Sequence, residues 1–415
     1  MFSIPAMRSL VILLVSLATT VRGQTEEWPV HANAAVPEVN MTEVFSYPML
    51  PVHKEAWSRE SWDGLTTFAA ASPLRCFGAD SETPYDVAVL GAPFDTTTSY
   101  RPGARFGPNG IRQGARRINV NSININMKMK VSEHIDVVDC GDVPMVYTDN
   151  KVALRQLEAA NKMILNHTSL RIHKGESIAK DGKFHPRVLT LGGDHTITLP
   201  LLRGINETYG PVSVIHFDSH IGGVPLHFGY IPPLKSCEQI QEPRSMPNSP
   251  WYPGEEIPVS HGSYFWYAHN EGLLAPDNKN IHVGIRNRLG SWADYDNDYE
   301  VGFVISTAEE FEEIGWRGVV KQIWDTVGDN PVYMTLDIDA IDPGSAPATG
   351  TPEIGGITTR EIKKIMQGLA GLKIVGADIV EVAPGYDTQA ELTSIAAANI
   401  GWDMLALMAK TPLVK

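Results

Sequence analysis

Three clusters of acids and histidines carry the chemistry of this chain. The run Val212 to Phe217 leads into Asp218-Ser219-His220. The run Val332 to Leu336 leads into Asp337-Ile338-Asp339, and Val188 to Leu191 leads into Gly192-Gly193-Asp194-His195. Each cluster sits just past a β-type run, and in an open parallel sheet that edge is where ligands bind. The D-x-H and D-x-D spacings send alternate side chains to one side of extended chain. Asp218 with His220, and Asp337 with Asp339, can therefore converge on one point. Three carboxylates and two imidazoles converging would repel and lose hydration unless something cationic sits among them. Divalent metal is the simple solution. A carboxylate-rich, histidine-containing set without cysteine favours Mn2+, with Zn and Fe still open. Two ions sharing carboxylates would acidify a bridging water and present hydroxide near neutral pH.

Positioning such clusters takes a regular frame. Short apolar runs fall at 86–91, 135–139, 187–191, 212–217, 280–284, 302–306, 332–337 and 374–380. Their length and β-branched content suit strands buried on both faces. Helical patterns fall between several of them, at 151–165, 196–208, 307–328, 359–370 and 388–409. This alternation predicts an α/β fold, a parallel sheet with helices on both faces. There is no internal repeat. Residues 224–258 break the grammar: they hold eight prolines and no convincing helix or strand, an unusual length for a structureless loop inside a domain.

The chain has 415 residues, a formal charge of −14, 43% hydrophobic and 20% charged residues. Its frequent Gly and Pro lack the period of collagen. The acidic balance argues against sequence-independent nucleic-acid binding, because no basic excess exists to neutralise phosphates. Residues 1–23 read as a secretory signal: Arg8, an apolar stretch from Leu10 to Ala18, then small residues up to Gly23. That stretch is too short to span a bilayer, and no later segment reads as a span. Sequons at Asn40, Asn166 and Asn206 agree with a secretory route. Three cysteines, Cys76, Cys140 and Cys237, make no disulfide scaffold and leave at least one thiol unpaired within a monomer. The expected organisation is a signal (1–23), an N-terminal extension (24–80) and one domain (81–415) with an irregular insertion at 222–258.

Residues 85–409 resemble the ureohydrolase family of arginase, agmatinase and their relatives. The matching blocks are Gly192 to His195, Asp218 to His220, and Asp337 to Pro343 continuing into Ala346 to Glu353. Arg101 to Pro108, His261-Gly262 and Asp378 to Val382 match as well. Ala348 stands where the family usually has glycine. The resemblance implies a three-layer α/β/α domain with an eight-stranded, mainly parallel sheet. It also implies hydrolysis of a guanidino group to urea and an amine at a binuclear manganese site, in a trimer or hexamer. By motif, His195 resembles a ligand of the first metal, Asp218 and Asp337 the bridging carboxylates, and His220 and Asp339 ligands of the second. His261 sits where the family keeps a proton-shuttling histidine, and Glu381 where a carboxylate binds the guanidinium. Asp194 reads as a turn or outer-sphere residue.

The stretches Ser99 to Pro108 and Glu381 to Asp387 resemble the agmatinase branch, and the asparagine- and serine-bearing loop of arginases is missing. The implied substrate is agmatine, giving putrescine and urea, with guanidinobutyrate the main competitor. One departure stands out. The family pattern D-x-H-x-D is here Asp218-Ser219-His220-Ile221-Gly222, so glycine replaces the sixth ligand on the His195 side. Two accounts remain open. Residues from about 222 to 255 are a misread or retained intron, or the chain is a genuine homologue with a weakened first metal and diminished activity.

Overall fold

The computed structural model describes residues 65–78, 82–221, 258–289 and 292–415. The expected signal, the N-terminal extension up to residue 64, Asn40, Gly222, Cys237 and the proline-rich stretch to residue 257 lie outside the described residues.

In chain order the elements are β1 (Ser72–Pro73), β2 (Val87–Gly91), α1 (Gly107–Gly114), β3 (Ile123–Asn124), β4 (Met129–Lys130) and β5 (Val137–Asp142). Next come α2 (Asn150–Leu165), β6 (Arg187–Leu191), α3 (Thr198–Tyr209), β7 (Ser213–Phe217), α4 (Tyr264–Asn270) and β8 (Asn280–Ile285). The last elements are α5 (Ala293–Val301), β9 (Phe303–Thr307), α6 (Ala308–Val327), β10 (Pro331–Asp337), α7 (Thr359–Gly368), β11 (Lys373–Val380) and α8 (Leu392–Lys410).

Nine strands form one sheet in the order β1-β5-β2-β6-β11-β10-β7-β8-β9, and β3 and β4 form a separate ribbon. Every pairing in the large sheet is parallel. All eight apolar runs become strands of this sheet. The ninth strand, β1, is a two-residue bridge onto Val138 and Asp139 at one edge, too short to leave a pattern in sequence. Alternate residues of a strand feed opposite layers. Val87 and Val89 of β2 join the core beneath α1, α6, α7 and α8, while Ala88 and Leu90 join the core beneath α2, α3 and α4. That is the three-layer α/β/α arrangement.

The five expected helices form, with shifted ends. Side-chain caps set several starts: the Asp149 carboxylate accepts from Val152 N at 3.0 Å ahead of α2. Thr307 with Glu310 and Thr358 with Glu361 close capping boxes ahead of α6 and α7. The C-terminal helix begins at Leu392 rather than 388 because Asp387 accepts from the backbone of Thr393 and Ser394. Composition and length alone would let α8 cross a membrane, but it is mostly buried as a core helix. Three further helices, α1, α4 and α5, lacked a readable period. α1 is the clearest case, since GPNGIRQG is poor in helix formers and holds its shape by packing on α8.

Cys76 and Cys140 form a disulfide across a sequence separation of 64 residues, tying the segment after β1 to β5. Loop-closure entropy makes such a link worth about 2 to 4 kcal/mol. The Cys140→Ser variant should unfold at lower urea concentration, with a somewhat higher m-value because its unlinked unfolded chain exposes more surface; an unshifted midpoint would contradict a formed bond.

Candidate metal centre

The four central strands, β6, β11, β10 and β7, end side by side, and their C-terminal ends deliver the singled-out residues. His195 follows β6, Glu381 follows β11, Asp337 and Asp339 sit at the end of β10, and Asp218 and His220 follow β7. The turn after β6 requires glycine at 193: a Cβ there would lie 1.9 Å from the carbonyl oxygen of Phe94. Asp194 closes that turn, accepting from Thr196 N at 3.0 Å and from the Thr97 hydroxyl at 2.7 Å.

Asp218 is the hub. Its Oδ2 lies 3.1 Å from His195 Nδ1, and its Oδ1 lies 3.3 Å from His220 Nδ1. Asp337 Oδ2 approaches the same His195 nitrogen at 3.3 Å, and Asp339 Oδ2 approaches the same His220 nitrogen at 2.9 Å. One carboxylate thus faces both imidazoles with separate oxygens. Backbone amides fix these rotamers: Asp218 Oδ1 accepts from His220 N, Asp337 Oδ1 from Asp339 N, and Asp339 Oδ1 from Ser219 N. His195, Asp218, Asp337 and Asp339 are buried, whereas His220 is half-buried and marks the open side.

The crowding has electrostatic consequences. Burial first, and then the charges of Asp339 and Asp218, push Asp337 well above the usual carboxylate range. Burial and Asp218 likewise raise Asp339. Burial alone would lower His195, but its contacts with Asp218 and Asp337 outweigh that and raise it well above the ordinary imidazole value. His220 follows the same logic, with burial overcome by Asp339 and Asp218, and rises to about 12. This is a cluster holding too much negative charge for its polarity, the condition that bound cations relieve.

The hydrogen bonds also select a tautomer. Thr335 donates its hydroxyl to Asp378 Oδ1, so its oxygen is free to accept from His195 Nε2 at 2.8 Å. Without an ion, Nδ1 of His195 carries a proton toward the Asp218 and Asp337 oxygens; a cation bound there would displace it, and Thr335 keeps the other proton on Nε2. That leaves Nδ1 as the atom a metal needs, with the second nitrogen held by an outer partner. Asp378 is itself held by Thr198 and Tyr333 hydroxyls at 2.9 and 2.7 Å.

Glu381 stands beside this cluster in a left-handed backbone conformation (φ 61°), rare for a residue with a side chain. Its Oε1 accepts from His195 N at 2.9 Å and lies 3.1 Å from His261 Nδ1. Its Oε2 is buried and has no hydrogen-bond partner among the described residues. Gly350 borders that oxygen: a Cβ there would meet the Arg101 carbonyl at 2.8 Å and Glu381 Oε2 at 3.7 Å. The glycine keeps open a cradle between a carbonyl and a free carboxylate oxygen. His261 Nε2 accepts from Ser99 N at 3.0 Å, so in this state the ring proton is on Nδ1, facing Glu381. Burial opposes the His261 charge, but Glu381 more than compensates and raises its pKa.

All seven singled-out residues meet at one edge. Sequence reasoning missed others there. His216 Nε2 lies 2.9 Å from Asp218 Oδ2. With His195 and Asp218 it forms one of two groups among the described residues whose donor atoms could hold an ion; the other is Asp218, His220 and Asp339. The signal existed, because His216 and Thr335 each stand two residues before a singled-out aspartate and so share its side of the strand.

The model of the arginase family matches residues 85–406. The chain is 44% identical over 379 residues to "Putative agmatinase 1" of Schizosaccharomyces pombe, covering 91% of this chain and 90% of that protein. It is 37% identical over 321 residues to an agmatinase of Photorhabdus laumondii, covering 77% and 86%. The structure of a hypothetical agmatinase from Burkholderia thailandensis superposes with a TM-score of 0.65 at 30% identity, covering 84% of this chain and 91% of that one. Proclavaminate amidino hydrolase from Streptomyces clavuligerus does so with a TM-score of 0.65 at 31% identity, covering 83% and 97%. The chain belongs to the arginase family of ureohydrolases, hydrolases that act on guanidino groups.

If Thr335 fixes the His195 tautomer, Thr335→Val should fold normally yet hold manganese about 10- to 100-fold more weakly. Unchanged metal affinity in that variant would remove the tautomer argument.

Proposed function

We propose that the protein hydrolyses agmatine to putrescine and urea at two Mn2+ ions. His195, Asp218 and Asp337 would hold the first ion, and Asp218, Asp337, His220 and Asp339 the second. The observation that supports this most is the pairing of Asp218, facing both imidazoles, with the buried, unpartnered Oε2 of Glu381 close by. The all-oxygen-and-nitrogen donor set suits manganese. When bound, the ions offset the carboxylate charge and acidify water near neutral pH.

The chain's own residues do the rest. Glu381 Oε2 pairs with the planar guanidinium, which has N–H groups to satisfy it. Its other oxygen is already committed to His195 N and His261, so the substrate meets one oriented acceptor. Water adds to the guanidino carbon, the bond from that carbon to the alkyl nitrogen breaks, and the leaving amine takes a proton. His261 supplies that proton from a site held between Glu381 and Ser99 N.

The agmatine assignment is supported by the names of the relatives. A second reading has one observation behind it: Arg101 lies 4.8 Å over the Tyr100 ring and 5.5 Å from the Tyr386 ring, on the loop that borders the cradle. A cation held there would favour a substrate with a carboxylate tail, such as guanidinobutyrate. We also propose that the protein enters the secretory pathway. The disulfide suits an oxidising compartment, and the sequon at Asn166 is exposed at the end of α2.

Urea release from agmatine, arginine and guanidinobutyrate at saturating manganese tests the substrate. Agmatine should have the highest kcat/KM, and arginine as best substrate would overturn the assignment. Glu381→Gln should cost about 100-fold or more in kcat/KM, because the charge-assisted pair is lost. Gly350→Ala should raise KM by filling the cradle. Activity unaffected by both substitutions would place the guanidino group elsewhere.

A further inference from the structure

At the edge of the sheet opposite the metal centre lies a small cavity that the proposed chemistry does not use. Arg187 opens β6, whose other end leads to His195, and Tyr209 closes α3. Around the cavity they meet Ser177 and His173, from the segment between α2 and β6, and Leu413, from the tail after α8. The tail lies along that segment: Ile178 N donates to the Leu413 carbonyl at 3.2 Å, and Lys415 N to the Glu176 carbonyl at 2.8 Å. The cavity leaves about 20 Å3 for the centre of a water-sized sphere, room for a body of roughly one to two waters.

The unsatisfied atoms of its wall are donors. Arg187 is 5% exposed, and its one side-chain hydrogen bond among the described residues runs from Nη1 to the Thr411 carbonyl at 3.2 Å. Burial pulls its guanidinium down to about 10, so it stays charged near neutral pH. Tyr209 is 7% exposed, and its hydroxyl has no hydrogen-bond partner among the described residues. Burial raises that hydroxyl's pKa, which keeps it a donor. Ser177 is 1% exposed; its Oγ accepts from Ala179 N at 3.2 Å, and its own proton has no acceptor among the described residues.

Asp86 is the one acid in the wall, and its oxygens are taken. Oδ1 accepts from the Ser169 hydroxyl at 2.6 Å and from Arg171 N at 2.8 Å. Oδ2 accepts from Asp136 N at 2.8 Å and faces the Arg171 guanidinium at 3.5 Å. His185 is engaged at both ring nitrogens, by the Leu165 carbonyl and by Asp181, and Asp181 has Lys183 4.0 Å away. Two guanidinium groups, of Arg171 and Arg187, thus stand against the single carboxylate of Asp86. A buried cation without a full counter-charge is costly. A water would bring two O–H groups to a wall whose free atoms are donors, whereas an anion accepts from all of them.

We propose that this cavity binds one chloride-sized anion, held by Arg187, Tyr209 and Ser177, and that the anion fastens the C-terminal tail to the foot of β6. No residue of the metal centre takes part, so the proposal stands or falls apart from the proposed hydrolysis.

The test follows thermal unfolding of the manganese-loaded full chain in sodium chloride and in sodium methanesulfonate, whose anion is too large for the cavity, at equal ionic strength. Chloride should raise the midpoint saturably, by about 2 °C at ten times its Kd. Arg187→Met should abolish that rise. Should this variant fail to fold, Tyr209→Phe, which removes one donor and keeps the ring, should weaken the apparent chloride affinity about 5-fold. Crystals grown in bromide should show an anomalous peak between Arg187, Tyr209 and Ser177. Equal midpoints in the two salts would overturn the proposal, since water would then fill the cavity. So would a chloride response of native strength in the variants, which would place the ion elsewhere, or a bromide map without that peak.

Discussion

The structure is organised around one electrostatic constraint: Asp218, Asp337 and Asp339 meet in a buried space with two imidazoles between them. At the separations found, their mutual repulsion is weakly screened, and desolvation adds to it. The raised carboxyls of Asp337 and Asp339 and the raised imidazoles of His195 and His220 are the protein-only response. A fold does not assemble such a cluster for stability, because apolar residues of the same volume would pack there at lower cost. The arrangement makes sense as a receptor for positive charge. The free oxygen of Glu381 beside it extends the same logic to a cationic substrate.

The parallel sheet pays for this by rigidity. Its four central strands are buried on both faces, and their register fixes where each side chain emerges. Thr335 and Asp378 are opposite partners in the β10–β11 pairing, which is why one threonine can orient His195 while bound to one aspartate. His216 and His282 are partners in β7–β8 by the same register. The site is thus supported from below by cross-strand pairs rather than by loops, and sub-ångström placement follows from strand geometry.

Much of this was legible in the sequence. The eight apolar runs are eight of the nine strands, and the D-x-H and D-x-D spacings converge as alternation requires. What escaped reading has physical reasons. β1 has two residues and no pattern. α1 forms from glycine-rich chain because tertiary packing overrides its propensity. His216 was overlooked because it lies inside a strand, where an isolated histidine reads as core, although its spacing to Asp218 pointed to the same face. The Cys76–Cys140 pairing depends on β1 lying beside β5. Gly222 remains a sequence observation, since it lies outside the described residues.

The central claim is that this acid-rich rim is a receptor for two dications that share Asp218. Elemental analysis of the purified full chain, dialysed after saturation with Mn2+, tests it most directly. The account predicts close to two manganese ions per chain at saturation. A chain that retains no manganese at any free concentration, while remaining folded, would contradict it.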